Sequence, residues 1–480
     1  MNELITINHF LEIEDNSEFS KVIILNNEHM PFWSIIRWTF YQVLMNKLFY
    51  SEEKQSKPNS SIRKINSCFN AIHHMAINRI NLNGVSKHDI LISTTASRYV
   101  AEEKRLFNVN SDFLFNAQSE KSIVIETFSP GYSPNKRACN KIISNNPYYF
   151  LSKIPAISNQ NLFEDDFSDF FKLLAVRTEK IIGVRLSKKE LEWLSQYSLN
   201  ECKRFEKLNT AYKKLLKKLG TKLLIIQCGH YGGTDALSII SAAKSLNVVV
   251  AEFQHGSISQ GHIAYNYSDQ ILHSELYKNT WPDYLLTYGV SWNERTNITS
   301  KKIAIGNPMR EKAVKMYLQD KEDKVFITIL GDGLDTKKSL SLCYRIRNVC
   351  EGKYKVLFRP HPMERIKVLG MKIENIEIDV NDDIYKSFAN TAILIGELST
   401  ALYEAIGLVD RIVVWDTSKS KFSDPTAPFE KLTLSNENEC SSMLKNAHWI
   451  CKDKTSIAEM SYWEPHWQNN YKNFLKNVLG

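Results

Sequence analysis

Residues 355–365 read "KVLFRPHPMER", and this stretch decides the fold. Val356, Leu357 and Phe358 form the short continuous apolar run of a strand buried on both faces. The run stops at Arg359, Pro360, His361 and Pro362. Proline has no backbone N–H, fixes φ and pushes the residue before it out of the helical region. The strand therefore ends abruptly, with His361 held between two stiff positions at its carboxyl end. In an open parallel sheet, that end is where ligands bind.

Similar runs lie on both sides. "DILIS" (89–93), "SIVIETF" (122–128), "KLLIIQ" (222–227), "NVVVAEF" (247–253), "DYLLTY" (283–288) and "KKIAIGNP" (301–308) form one set. "KVFITILGDG" (324–333), "YKVLFR" (354–359), "TAILIG" (391–396) and "RIVVW" (411–415) form a second. Helical patterns such as 336–350 and 399–408 separate them. Continuous apolar strands alternating with helices predict parallel sheets covered on both faces. The chain reads as α/β, with two Rossmann-like domains facing each other across a cleft and joined near 309–323. The expected divisions are 1–309, 310–460 and a terminal aromatic, basic helix, 461–480, packing back on the first domain. The polar, proline-containing stretch 51–64 reads as a mobile loop.

Glycine and polar residues follow five of these strands: "CGHYGGTD" (228–235), "QHGSISQGH" (254–262), "GDG" (331–333), "RPHPME" (359–364) and "GELSTALYEA" (396–405). Together they outline the cleft. In the second domain Ser399 suits a helix N-cap, with Thr400 in the first turn, so that terminus is either an anion site or a plain capped helix. Glu397 is placed to accept from a ribose or base. His361 can donate to a phosphate oxygen with Arg359 adding charge, or it can satisfy a local carbonyl. Gly331, Asp332 and Gly333 read as a tight turn at the interdomain face, with Asp332 a polar ligand. In the first domain His230, Asp235, His255 and His262 follow strands. Asp235 is a candidate general base or nucleophile, or else a helix cap. His255 is a candidate base or leaving-group stabiliser, or else turn structure. Glu126 is a weaker candidate acid.

Composition narrows the partners. Lys and Arg outnumber Asp and Glu by 61 to 53, a net charge of +8. That suits an anionic substrate or membrane surface as readily as nucleic acid. Nucleic acid is disfavoured, because there is no lysine-rich tail, zinc-finger spacing or aromatic ribonucleoprotein motif. The eight cysteines are scattered without a CxxC pair, and the N-terminus carries Glu3 and no small-residue cleavage site. Reduced thiols in a cytoplasmic protein are expected. No run reaches the roughly 18 apolar residues of a spanning helix. The nearest, "PFWSIIRWTFYQVLMNKLFY" (31–50), is interrupted by Arg37, Gln42, Asn46 and Lys47. It reads as a core helix or as a membrane-interface helix with Trp33, Trp38 and Tyr41 at headgroup depth. No HxH or DxD supplies metal ligands, and no GxGxxG after an early strand supports a dehydrogenase. A nucleotide-sugar epimerase and a non-catalytic scaffold are the rival classes.

"RPHP" followed by a strand and "ELSTALYEA", with "EFQHGSIS" upstream, resembles the GT-B transferases of bacterial surface polysaccharides over residues 220–410. The likeness is to sialyltransferases and polysialyltransferases with HP and Ser/Thr motifs, to capsule and O-antigen Kdo transferases, and to CDP-glycerol glycerophosphotransferases. The HP motif falls on His361 and Pro362, the Ser/Thr motif on Ser399 and Thr400, and the HG pair on His255 and Gly256. The acidic-acidic-Gly motif of the sialyltransferases lies in their N-terminal half, whereas here Gly331-Asp332-Gly333 opens the second domain. The resemblance implies a metal-independent enzyme with no cofactor. It implies a CMP-activated donor whose phosphate meets the HP and Ser/Thr motifs, and a glycan or lipid-linked glycan acceptor at the inner face of the membrane.

Overall fold

The computed structural model describes residues 4–20, 22–25, 28–49, 72–79, 87–95, 99–102, 105–129, 132–154, 164–231, 233–317, 324–350, 354–433 and 461–480. The stretch 51–64 lies outside them. Helices α1 (Ile7–Glu14) and α2 (Phe32–Phe49) precede a seven-stranded sheet. Its strands are β1 (Ile90–Thr95), β2 (Ser122–Thr127), β3 (Ile142–Ser144), β4 (Leu223–Gln227), β5 (Val249–Phe253), β6 (Tyr284–Thr287) and β7 (Lys301–Ala304). Helices α3 (Glu164–Ile182) and α4 (Lys188–Leu219) intervene before β4, and α5 (Thr234–Lys244) follows it. The spatial order is β7-β6-β5-β4-β1-β2-β3, with every pair parallel. The winding reverses between β1 and β4, which opens a crevice at their carboxyl ends.

Helix α6 (Pro308–Tyr317) leads into the second sheet, built from β8 (Phe326–Leu330), β9 (Lys355–Arg359), β10 (Glu377–Ile378), β11 (Thr391–Gly396), β12 (Arg411–Trp415) and β13 (Glu430–Leu432). Its order is β10-β9-β8-β11-β12-β13, again all parallel, with the reversal between β8 and β11. Helices α7 (Thr336–Val349), α8 (Thr400–Glu404) and α9 (Ser418–Ser423) follow β8, β11 and β12. The two Rossmann-like domains turn their strand ends toward each other, the GT-B arrangement. Each strand anticipated from an apolar run is present. The short edge strands β3, β10 and β13 were not anticipated, because two or three residues carry no readable pattern.

Alternation along the first sheet divides its core. Leu91, Ile123, Leu224 and Val250 pack with Leu215, Leu216 and Ile240 of α4 and α5. Ile90, Ile92, Val124 and Ile225 pack with Tyr471, Phe474 and Leu475 of α10 (Trp467–Leu479). The last helix thus covers one face of a sheet that begins at residue 90. Residues ahead of it run along the seam between domains. Trp292 donates to the Tyr462 carbonyl (2.8 Å), Glu464 N–H to the Tyr288 carbonyl (2.7 Å), and Trp463 to the Tyr403 carbonyl (3.1 Å).

Helix α2 lies in the core. Trp33 and Tyr41 are fully buried, which overturns the membrane-interface reading of 31–50. Arg37 is compatible with that burial because Glu14 of α1 receives its Nε at 2.6 Å, and the carbonyls of Ile263 and Asn266 receive its remaining N–H groups. Among the described residues, no helix is long and apolar enough to cross a membrane.

Candidate active site

The reversal point of the second sheet carries the turn Gly331-Asp332-Gly333. Asp332 Oδ1 accepts from the N–H groups of Leu334 (2.8 Å) and Asp335 (2.9 Å), and Oδ2 from Lys419 Nζ (2.7 Å). Burial opposes ionisation of this carboxyl, but those three donors outweigh it and hold the pKa at about 2. The HP loop leans on this turn through Glu364. Its Oε1 accepts from His361 N–H (2.9 Å) and Gly333 N–H (3.4 Å), and its Oε2 from the Thr336 hydroxyl (2.7 Å). A methyl at Gly331 would lie 2.0 Å from that Oε1. At Gly333, where φ is +78°, a methyl would lie 2.6 Å from His361 Nδ1. Met363 N–H donates to His361 Nδ1 (3.3 Å), and burial lowers the pKa of the ring. The ring is therefore neutral at pH 7 with its proton on Nε2, available as a donor at the rim.

Ser399 caps α8, accepting from Ala401 N–H at 3.1 Å. Thr400 has a different partner: its Oγ1 receives Ser257 N–H of the first domain at 2.8 Å, fastening the His255-Gly256 loop to the HP side of the cleft. Arg359 is turned away from the rim, donating to the Asp379 carboxylate and to Ser387 Oγ (2.9 Å). The rim cations are Lys338 and Lys419, which sit 2.9 and 3.6 Å from Glu397.

Across the seam, a cavity of about 550 Å³ opens at the reversal point between β1 and β4. Thr94 and Gln227 close its base, joined at 2.8 Å. Asp235 stands in the first turn of α5, where Gly233 is the cap, so Asp235 is not the N-cap. Its carboxyl is 39% exposed and 3.4 Å from Arg204 Nη2. Burial among the cavity walls raises its pKa. Arg204 is held by both oxygens of Glu201 (2.7 and 2.6 Å) and by Ser152 Oγ (3.3 Å).

Trp38 and Tyr231 form an aromatic wall, their ring centres 4.7 Å apart. Behind it His262 accepts Ala264 N–H on Nδ1 at 3.2 Å, and burial drives its pKa down to about 4. The neutral ring carries its proton on Nε2, which donates to the Tyr231 oxygen at 3.2 Å. The Tyr231 hydroxyl therefore has its own proton to give. His255 also lines the cavity, with Nε2 3.4 Å from Cys228 Sγ, and burial lowers its pKa.

The structure thus brings Asp235 and His255 into one cavity, and His361, Glu397, Ser399 and the Gly331–Gly333 turn onto the facing rim. Pro362 is exposed beside His361. Besides Arg359 and Thr400, whose side chains are engaged elsewhere, two further expectations are corrected. His230 is fully buried, its ring bonded to Glu252 and Ser300 (2.8 Å to the hydroxyl), and holds the fold beneath the sheet end. Glu126 is likewise fully buried against Arg137 (2.8 Å) and the Tyr99 hydroxyl. A strand-end position does not fix which way a side chain points, and both point into packed protein. Sequence reasoning missed Glu201, Arg204 and Trp38, whose helices are remote in sequence. It also passed over Tyr231, although Tyr231 lies inside a glycine-rich segment that was singled out.

Comparison with family models and with curated proteins gives no match. Among solved structures, the chain is similar to a putative UDP-N-acetylglucosamine 2-epimerase from Listeria monocytogenes, at 12% identity, covering 82% of this chain and 97% of that one, TM-score 0.46. It is also similar to UDP-GlcNAc 2-epimerase from Neisseria meningitidis, at 10% identity over 81% and 99% of the two chains, TM-score 0.41. A third is Acinetobacter baumannii MurG, at 9% identity over 82% and 99%, TM-score 0.43. Likeness at this level says nothing of substrate or activity.

Proposed function

We propose that this chain is a glycosyltransferase of bacterial capsule or O-antigen synthesis, moving a sugar from a nucleotide-activated donor to a glycan acceptor. The observation that carries the reading is the pairing of the Asp235 cavity with the His361 rim, fastened at Ser257 and Thr400. The donor favoured by the motif resemblance is a CMP-linked 2-keto sugar acid, Kdo or a nonulosonic acid. CDP-glycerol and UDP-sugars are the alternatives. The nucleotide phosphate sits against His361 Nε2–H with Lys338 nearby, so the charge that develops on the leaving group is met by a donor already in place. Asp235 takes the acceptor hydroxyl proton, and the burial that raises its pKa makes it a stronger base than a solvent-exposed carboxylate. A lipid-linked acceptor brings the protein to the inner face of the membrane.

The test is incubation with activated sugars, with and without a synthetic acceptor. Nucleotide release that depends on acceptor supports the reading. Epimerisation of the donor with no acceptor overturns it, as does failure to bind CMP, CDP and UDP alike. Asp235→Asn should lower turnover by about 10²–10⁴-fold, the usual contribution of a general base, while nucleotide affinity stays near that of the parent.

A further inference from the structure

The charge balance of the Asp235 cavity selects among acceptors. Among the described residues, two carboxyl groups and one guanidinium line it: Glu201, Asp235 and Arg204. Glu201 takes both of its oxygens to Arg204 Nη1, Ser152 meets Nε, and Asp235 faces Nη2. Each nitrogen of the guanidinium thereby has a partner, and two carboxyl groups stand against one cation. His255, with its lowered pKa, adds no charge at neutral pH. Lys153, which is not among the lining residues, is exposed and lies over the Tyr149 ring at 4.0 Å. Among the described residues that line the cavity, a carboxylate or phosphate leaving water would meet two carboxylates and one cation, Arg204, that is already engaged.

The remaining walls suit a different ligand. Trp38 and Tyr231 offer an apolar aromatic surface on which the C–H face of a sugar ring can lie. The Tyr231 hydroxyl, receiving His262 Nε2–H, presents its proton to a ligand oxygen, and Asp235 presents an acceptor. A neutral polyol with one apolar face uses all three.

We infer that the cavity takes an uncharged hexopyranose, and that sugar acids and phosphorylated sugars are excluded as acceptors even though the proposed donor is a sugar acid. This rests on the transferase reading, in which the cavity holds the acceptor.

The test is saturation-transfer NMR on the full chain with methyl glycosides of galactose, glucose and N-acetylglucosamine, and with methyl glycosides of glucuronic and sialic acid. Nucleotide binding is titrated separately. The neutral glycosides should receive saturation, strongest at ring C–H protons and lost in Trp38→Ala. The acidic glycosides should bind at least about tenfold more weakly, about 1.4 kcal/mol. Glu201→Gln removes one negative charge and frees Arg204, so it should raise acidic over neutral binding by about tenfold. If that variant does not fold, the parent comparison alone decides. Acidic glycosides binding the parent as well as neutral ones would overturn the inference. Absence of saturation from every glycoside while nucleotides still bind would overturn it too, leaving the transferase reading in place. Loss of nucleotide binding, by contrast, speaks against the transferase reading and not against the cavity's preference among glycosides.

Discussion

Gly331→Ala tests whether the Gly-Asp-Gly turn holds the HP loop. The added carbon would lie 2.0 Å from Glu364 Oε1, where real contacts do not fall below 3.0 Å, so one of the two must move by about an ångström. The backbone at residue 331 follows directly from β8, so the carboxylate is the part that gives. Glu364 is buried, and it accepts two well-made hydrogen bonds, from His361 N–H at 2.9 Å and the Thr336 hydroxyl at 2.7 Å. Each bond to a charged group contributes about 1.5–3 kcal/mol. Losing both sets an upper range of about 3–6 kcal/mol, and local relaxation places the expected cost near the lower end, about 3 kcal/mol. The measurement is a urea midpoint combined with hydrogen exchange at the β8 and β9 amides. A double-mutant cycle separates the clash from general damage: Gly331→Ala with Glu364→Ala should cost no more than Glu364→Ala alone, because the clashing group is gone. A single-variant cost under about 0.5 kcal/mol, or simple additivity in the pair, would refute the reasoning.

Three other outcomes follow from the same geometry. His361→Ala should weaken nucleotide binding about ten- to a hundredfold with the fold intact, since a rim hydrogen bond to a charged phosphate contributes about 1.5–3 kcal/mol; unchanged titrations would reduce the RPHP segment to a stiff turn. The free His361 ring is neutral at pH 7 because its pKa is lowered, and a neighbouring phosphate favours the charged ring. Binding therefore takes up a proton, and parent affinity should rise as pH falls toward the histidine range, over and above any rise shown by His361→Ala. Deleting 461–480 removes Tyr471, Phe474 and Leu475 from the first core at about 1.5–3 kcal/mol each, so the melting temperature of the whole protein should drop; an unchanged one would contradict this packing.

The fold was legible in the sequence because each central strand is a continuous apolar run with a turn signal behind it. The Ser399 cap and the Asp332 turn were legible for the same reason: both are local, set by hydrogen bonds to backbone two or three residues away. The site was legible only to the level of the loop. Period-two alternation says that a strand-end residue faces one side or the other, but not which side a neighbouring element covers. His230 and Glu126 fell on covered sides, against Glu252 and Arg137. Thr400 was read as facing a phosphate because nothing in "ELSTALYEA" records that Ser257 would arrive from the other domain. Arg204 reaches Asp235 only because α4 packs along α5, a contact that no spacing in the sequence announces.

The placement of α10 has a consequence for how the protein is made. The second sheet is contiguous, its strands lying between Phe326 and Leu432, and it is fully synthesised before Trp467 is added. The first sheet begins at Ile90, yet one of its faces waits for Tyr471, Phe474 and Leu475, almost four hundred residues later. On the ribosome those residues are still in the exit tunnel when the rest of the chain is free. Domains usually mature in the order they emerge. Here the later domain can close first, while the earlier one keeps a bare apolar sheet face until α10 has emerged. That interval, not the finished protein, is when the chain has most need of a chaperone.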